Sequence, residues 1–149
     1  MKFVVKNENE LKEVVRALLD HIRIYDDRAT IVGLSGDLGA GKTTFVKTLA
    51  RVLGVSQTVQ SPTFVIEKQY TLSSAGGNHF NNLIHIDAYR IDTLSELEPL
   101  KFSETLSRAG DLVVIEWPER IQEALPADTC MVRFTFVDET TRLIEWSDA

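Results

Sequence analysis

Thr30-Ile31-Val32-Gly33-Leu34-Ser35-Gly36-Asp37-Leu38-Gly39-Ala40-Gly41-Lys42-Thr43 passes from a β-branched apolar run into a glycine cluster and ends on Lys-Thr. Its second half fits G-x-x-x-x-G-K-[ST], with the flanks that pattern requires: a buried strand before it and, from Thr43 to Leu53, a helix closed by Gly54. Glycines let a backbone wrap closely round phosphate oxygens, so that successive N–H groups and the positive helix end face the anion. Lys42 adds a point charge for the β and γ phosphates, and the Thr43 hydroxyl is placed to ligate Mg²⁺, a hard ion that prefers oxygen. The competing explanation is a glycine-rich turn with an incidental lysine, and the intact spacing and flanks weigh against it. Gly36, Asp37, Leu38, Gly39, Ala40, Gly41, Lys42, Thr43 and Thr44 are therefore the expected nucleotide-binding loop.

Outward from this loop the pattern is that of an α/β chain. Upstream, Met1 to Val5 reads as a short strand, and Asn7 as the N-cap of a helix whose apolar face is Leu11, Val14, Val15, Leu18, Leu19 and Ile22. Downstream, Phe64–Leu72 and Asn82–Ala88 are rich in strand formers, and the turn-rich Ser73-Ser74-Ala75-Gly76-Gly77-Asn78 lies between them. Leu94–Leu106 has helical spacing but contains Pro99, which predicts one kinked helix or two short ones. Leu112-Val113-Val114-Ile115 is a fully apolar strand closed by Glu116, and Cys130–Trp146 reads as a hairpin turning near Asp138–Thr141. The expected architecture is a single P-loop NTPase-like domain over residues 1–149, with a mainly parallel central sheet flanked by helices and a C-terminal β-hairpin.

Composition narrows the function. With 16 Lys and Arg against 22 Asp and Glu the formal charge is −6, which argues against broad phosphate neutralisation of a nucleic acid. No apolar run approaches the roughly 18 residues of a membrane span, and the start of the chain lacks the layout of a secretory signal. The lone Cys130 offers neither an internal disulfide nor a multi-cysteine zinc site, so a soluble cytoplasmic protein is expected.

A phosphate loop needs a second metal-facing acid, usually at the end of a neighbouring hydrophobic strand. Glu116 stands at such a place, although an acid there can equally be a solvent-facing strand end. Trp117 and Pro118 follow at once; the tryptophan's simplest role is packing. His85-Ile86-Asp87-Ala88-Tyr89-Arg90 would place His85, Asp87 and Tyr89 on one face of an extended strand, with Arg90 beyond. That is either a solvated edge strand or a catalytic face, on which Asp87 positions the attacking water or a metal-bound water. Ser61-Pro62-Thr63-Phe64 lies where related folds keep a γ-phosphate-sensing loop, and it also reads as a simple Ser-Pro turn.

Taken together, the phosphate loop, Ser61-Pro62-Thr63-Phe64, His85-Ile86-Asp87-Ala88-Tyr89-Arg90 and Glu116-Trp117-Pro118-Glu119 resemble the bacterial TsaE family, also called YjeE. The resemblance runs from Gly36 to Glu119, while the first helix and last hairpin fit in length and pattern. It implies a P-loop ATPase that uses ATP and Mg²⁺ and acts with the TsaB and TsaD partners, which attach threonylcarbamoyl to adenosine 37 of certain tRNAs. The tRNA would be met only indirectly, through that complex. Position by position, Lys42 corresponds to the phosphate-binding lysine, Thr43 and Glu116 to the magnesium-facing pair, Asp87 to the catalytic acid, Trp117 to the functional tryptophan and Thr63 to a switch-like threonine. Glu8 and Leu11 would border the adenine. The chain departs from the family where a Leu-Gly pair is expected after Glu96-Leu97: here it is Leu100-Lys101, preceded by Pro99. The segment around Gly76-Gly77 is also longer than expected and reads as a surface insertion.

Other P-loop functions meet specific objections. The base-reading Asn/Thr-Lys-x-Asp pattern of GTPases is absent. A small-molecule kinase needs several arginines round the transferred phosphoryl group, and between Leu94 and Leu125 only Arg108 and Arg120 occur. A non-hydrolysing nucleotide-bound scaffold shares every motif with an ATPase and is separated from it only by assay.

Overall fold

The computed structural model describes residues 1–57, 59, 67–73 and 79–147. The chain runs β1 (Lys2–Val5), α1 (Glu8–His21), β2 (Thr30–Ser35), α2 (Lys42–Val52), β3 (Glu67–Thr71), β4 (Asn82–Asp87), a 3-10 turn (Leu94–Leu97), α3 (Phe102–Leu106), β5 (Leu112–Glu116), a second 3-10 stretch (Pro118–Ala124), β6 (Cys130–Asp138) and β7 (Thr141–Trp146). Among the described residues the strands form one mixed sheet in the order β1-β7-β6-β2-β5-β4-β3. Its centre, β6-β2-β5-β4, is parallel. Antiparallel β3 closes one edge, and β7 with β1 closes the other.

Parallel strands covered on both faces need apolar side chains in both directions, and β5 is buried along its whole length. Leu112 and Val114 join Val32 and Leu34 of β2 in a core under α1 and α2, built on Leu11, Val14, Val15 and Leu18 of the first helix and Phe45, Val46 and Leu49 of the second. Val113 and Ile115 point the other way, into a core with Ile84, Ile86, Ile91, Leu97, Phe102 and Ile121. Leu18 is 1% exposed, so truncating it to alanine would cost about 2–5 kcal/mol.

Local signals place the ends of the elements. The Asn7 side chain accepts from the Glu10 backbone N–H at 2.9 Å and starts α1. Gly54, with φ 88°, ends α2 in the left-handed conformation. The Pro99 region resolves into two short helices, with a capping box between Thr93 and Glu96 opening the first. Lys101, at the place where the resemblance leads to a glycine being expected, adopts φ 53° and ψ 45° as the N-cap of α3. A left-handed turn disfavours any residue with a Cβ, so glycine would suit this position.

Two expectations change. β4 ends at Asp87, so Tyr89 lies in the following turn and not on the strand face with His85 and Asp87. β4 is also no edge strand, since β5 and β3 flank it. The parallel centre and the C-terminal hairpin are as expected, and β3 and β1 add antiparallel edges. Ser61-Pro62-Thr63-Phe64 and the segment around Gly76-Gly77 lie outside the described residues, as do 64–66 of the run expected to form β3. Among the described residues no helix is long and apolar enough to cross a membrane.

Candidate functional site

In parallel α/β sheets ligands sit beyond the carboxyl ends of the strands, and here β2, β4 and β5 deliver their motifs to that one edge. β2 runs directly into the glycine loop. Gly36 has φ 147°, and a Cβ there would stand 2.6 Å from the Phe134 carbonyl oxygen, so β6 packs against the loop too closely for a side chain. Gly41, with φ 99°, is the left-handed N-cap of α2. Being glycine it offers no side-chain cap, so the first N–H groups of the helix are left for another acceptor.

Lys42 opens α2 and is 5% exposed. Its ammonium donates to the Gly36 carbonyl and lies 3.5 Å from the centre of the Trp117 ring. Burial pushes its pKa below the ordinary lysine value, against the raising pull of Glu116, Glu119, Asp87 and Asp37. The cation–π contact returns about 0.5–2 kcal/mol of the desolvation cost. Trp117 can cover the ammonium because its backbone is left-handed, with φ 60° and ψ 49°, which turns the chain abruptly after β5. Tyr89 packs on the outer side of this arrangement, its ring centre 5.0 Å from that of Trp117.

Sheet register brings the two acids together. Asp87 of β4 and Glu116 of β5 are partners across the parallel pair, and Glu116 is also in register with Leu34 of β2. Glu116 is 3% exposed, which removes its reading as a solvent-facing strand end. The Thr43 hydroxyl donates to Glu116 Oε1 at 2.9 Å, and His85 Nε2 donates to Glu116 Oε2 at 2.6 Å. Asp87 is half-buried, and the Tyr89 N–H donates to its Oδ1 at 3.0 Å.

These groups line a single cleft formed by Leu38, Gly39, Gly41, Lys42, Thr43, Thr44, Asp87, Tyr89, Arg90, Glu116, Trp117 and Arg142. Arg142 is a cleft-lining residue that the sequence did not disclose. It projects from β7, donates to the Gly39 carbonyl at 3.3 Å and to the Asp138 carbonyl at 2.6 Å, and so ties the hairpin to the phosphate loop. No motif marks it; only the pairing that lays the hairpin beside β2 could have found it. The arginines facing the cleft are Arg90 and Arg142, whereas Arg120 lies over the Tyr89 ring and Arg108 is not among the lining residues. Next to the cleft is a hollow lined by Leu11, Ala40, Gly41, Thr44, Phe134, Thr140 and Arg142, among others. Leu11, expected to border the adenine, lines this hollow, and Glu8, expected beside it, is exposed and paired with Arg51 at 2.6 Å. Asp37 is exposed at the loop, and its carbonyl accepts from the Ala40 N–H at 3.1 Å.

The donor set suits magnesium. Thr43 Oγ1 and Glu116 Oε1 are hard oxygen ligands side by side, and magnesium usually takes one or two protein oxygens and completes its shell with phosphate and water. No group of three or more His, Cys, Asp or Glu among the described residues is placed to cage a metal unaided.

The family model described as "Threonylcarbamoyl adenosine biosynthesis protein TsaE" matches residues 5–144. The chain belongs to the TsaE family. It is 33% identical over 141 residues to the tRNA threonylcarbamoyladenosine biosynthesis protein TsaE of Rickettsia felis, covering 94% of this chain and 75% of that one. The protein of the same name from Streptomyces coelicolor is 39% identical over 124 residues, covering 83% and 77% of the two chains. The crystal structure of Bacillus subtilis YdiB superposes with a TM-score of 0.72 at 28% identity, over 98% of this chain and 83% of that one. Membership in the TsaE family and a P-loop NTPase-like fold therefore rest on the matched length as well as on the motifs.

Proposed function

We propose that this TsaE-family chain is a Mg²⁺-dependent ATPase. It would support formation of the threonylcarbamoyl group on adenosine 37 of tRNAs with the TsaB and TsaD proteins, in the cytoplasm, and would meet tRNA only through that complex. The observation that carries the ATPase reading is the hydrogen bond from Thr43 to Glu116, which joins the phosphate-loop helix to the end of β5 beside a buried lysine.

In this reading the open N–H groups at the start of α2 and the glycine loop receive the β and γ phosphates. Lys42 exchanges the Gly36 carbonyl for phosphate oxygens, gaining a full anion for a neutral acceptor. Thr43 and Glu116 would hold the magnesium, whose positive charge would offset the charge on the phosphates. Asp87, one oxygen held by the Tyr89 N–H, orients the water whose oxygen bonds to the γ phosphorus as the bridge to ADP breaks. Arg90 and Arg142 add positive charge on the cleft wall. Trp117 shields the lysine from water, and Thr63 would sense the γ-phosphate.

Phosphate release from ATP tests the reading, measured for the chain alone and with both partner proteins, in Mg²⁺ and in chelator. Release that requires Mg²⁺ and rises with the partners is expected. Release indifferent to chelation would remove the metal-dependent ATPase.

A further inference from the structure

His85 is fully buried on β4 and is not among the residues that line the cleft. By strand alternation it shares the α2-facing side of the sheet with Leu83 and Asp87, so the chain places an imidazole beside a largely apolar core. Its Nε2 bonds Glu116 Oε2 at 2.6 Å, and its Nδ1 has no hydrogen-bond partner among the described residues. A carboxylate only accepts, so Nε2 is the donor. The ring's one polar attachment is therefore to Glu116.

Glu116 divides its two oxygens between elements: Oε2 takes the donor from β4, and Oε1 takes the Thr43 hydroxyl from α2. A glutamate's terminal torsion is broad and roughly two-fold, so packing alone fixes it poorly, and a donor on one oxygen aims the other. We propose that His85 is a positioning residue: it locks the Glu116 carboxylate so that Oε1 faces Thr43 and the metal, without itself meeting nucleotide. This deepens the magnesium-dependent reading above and rests on it. Partners that orient a ligating carboxylate typically carry about 10–100-fold of metal affinity. The loss on removing His85 should accordingly fall on magnesium and spare the phosphate loop.

The test is calorimetric titration of the intact chain with the imido analogue of ATP, in chelator and across a Mg²⁺ series. His85→Gln carries an amide nitrogen close to the Nε2 position, whereas the shorter Asn amide of His85→Asn stops short of it. His85→Leu removes the donor altogether. The Mg²⁺ concentration for half of the metal-induced gain in affinity should rise about tenfold in His85→Leu and His85→Asn and return towards the parent in His85→Gln, with affinity in chelator unchanged throughout. If His85→Leu does not fold, the Asn and Gln pair decides alone. Equal magnesium dependence in His85→Asn and parent, or a parallel loss of affinity in chelator, would overturn the positioning role. Glu116→Gln is the control: if it retains full magnesium dependence the underlying metal reading fails, whereas if it loses that dependence and the His85 variants do not, only the present inference fails.

Discussion

At the carboxyl ends of β2, β4 and β5 the chain buries Lys42, Glu116 and His85, and at the amino ends of β2 and β6 it leaves Arg28 and Asp128 in water. Lys42, Glu116 and His85 are 5%, 3% and 0% exposed; His85 and Thr43 bond Glu116, and Lys42 donates to the Gly36 carbonyl under the Trp117 ring. At the other end Arg28 pairs with Asp128, with side chains 33% and 43% exposed, and stacks 4.1 Å from the centre of the Tyr25 ring. Both are clusters of opposite charge tied across the sheet. They differ in solvent: an exposed pair is screened and contributes little, whereas a buried one loses several kcal/mol when one partner is removed. Retaining charge in a dry place makes sense where an anion is to arrive, so the buried end is the one that should govern activity.

Lys42→Ala should give the largest effect, lowering ATP turnover by about 1,000-fold and weakening ATP binding, with the fold retained. Steady-state phosphate release and circular dichroism check both halves, and undiminished turnover would break the contrast at once. Asp87→Asn should lower turnover by about 100-fold while ATP affinity stays within a few-fold, because it removes a charge without changing the shape. Any change in affinity should be towards tighter binding, since a carboxylate facing phosphate oxygens also repels them. Unchanged turnover would take Asp87 out of the mechanism.

Asp128→Asn probes the exposed end, and turnover should not change. The Arg28 hydrogen bond holds the Asp128 carboxyl below the ordinary aspartate value. A depressed carboxylate contributes stability above its unfolded pKa, about 3.9, and loses that contribution as pH falls through the lower folded value. The parent's melting temperature should therefore exceed the variant's by a few degrees at most at neutral pH, the gap closing below about pH 4 and shrinking in high salt. Lys101→Gly is the smallest effect and has the opposite sign. Relief of the left-handed φ of 53° should stabilise the chain by about 0.5–1 kcal/mol in a denaturant titration and leave turnover alone.

The parts of the site legible in the sequence were those in which one residue type answers one local demand. Gly36, Gly41, Lys42 and Thr43 are read from spacing alone because the loop's chemistry is contiguous, and Glu116 because an apolar strand ends on it. Strand alternation put His85 and Asp87 on one face correctly, but it could not locate the end of β4, and Tyr89 was carried along with them. What distant segments do to each other was not legible. Arg142 reaches the loop only because β6 pairs with β2, and the pairing of Glu8 with Arg51, 43 residues away, depends on how α1 packs beside α2. That His85 bonds Glu116 also needs the β4–β5 register, which no single segment encodes.

The most direct test of the buried end as a magnesium–nucleotide site is ATP affinity of parent and Glu116→Gln, each measured with Mg²⁺ and with chelator. The substitution keeps the size of Glu116 and an acceptor for Thr43 but removes the charge. Magnesium should raise affinity in the parent and barely in the variant, with the two alike in chelator, because the loop amides and Lys42 still hold the phosphates. An equal gain from magnesium in both, or an equal loss of binding with and without it, would contradict the account and leave Glu116 a structural residue.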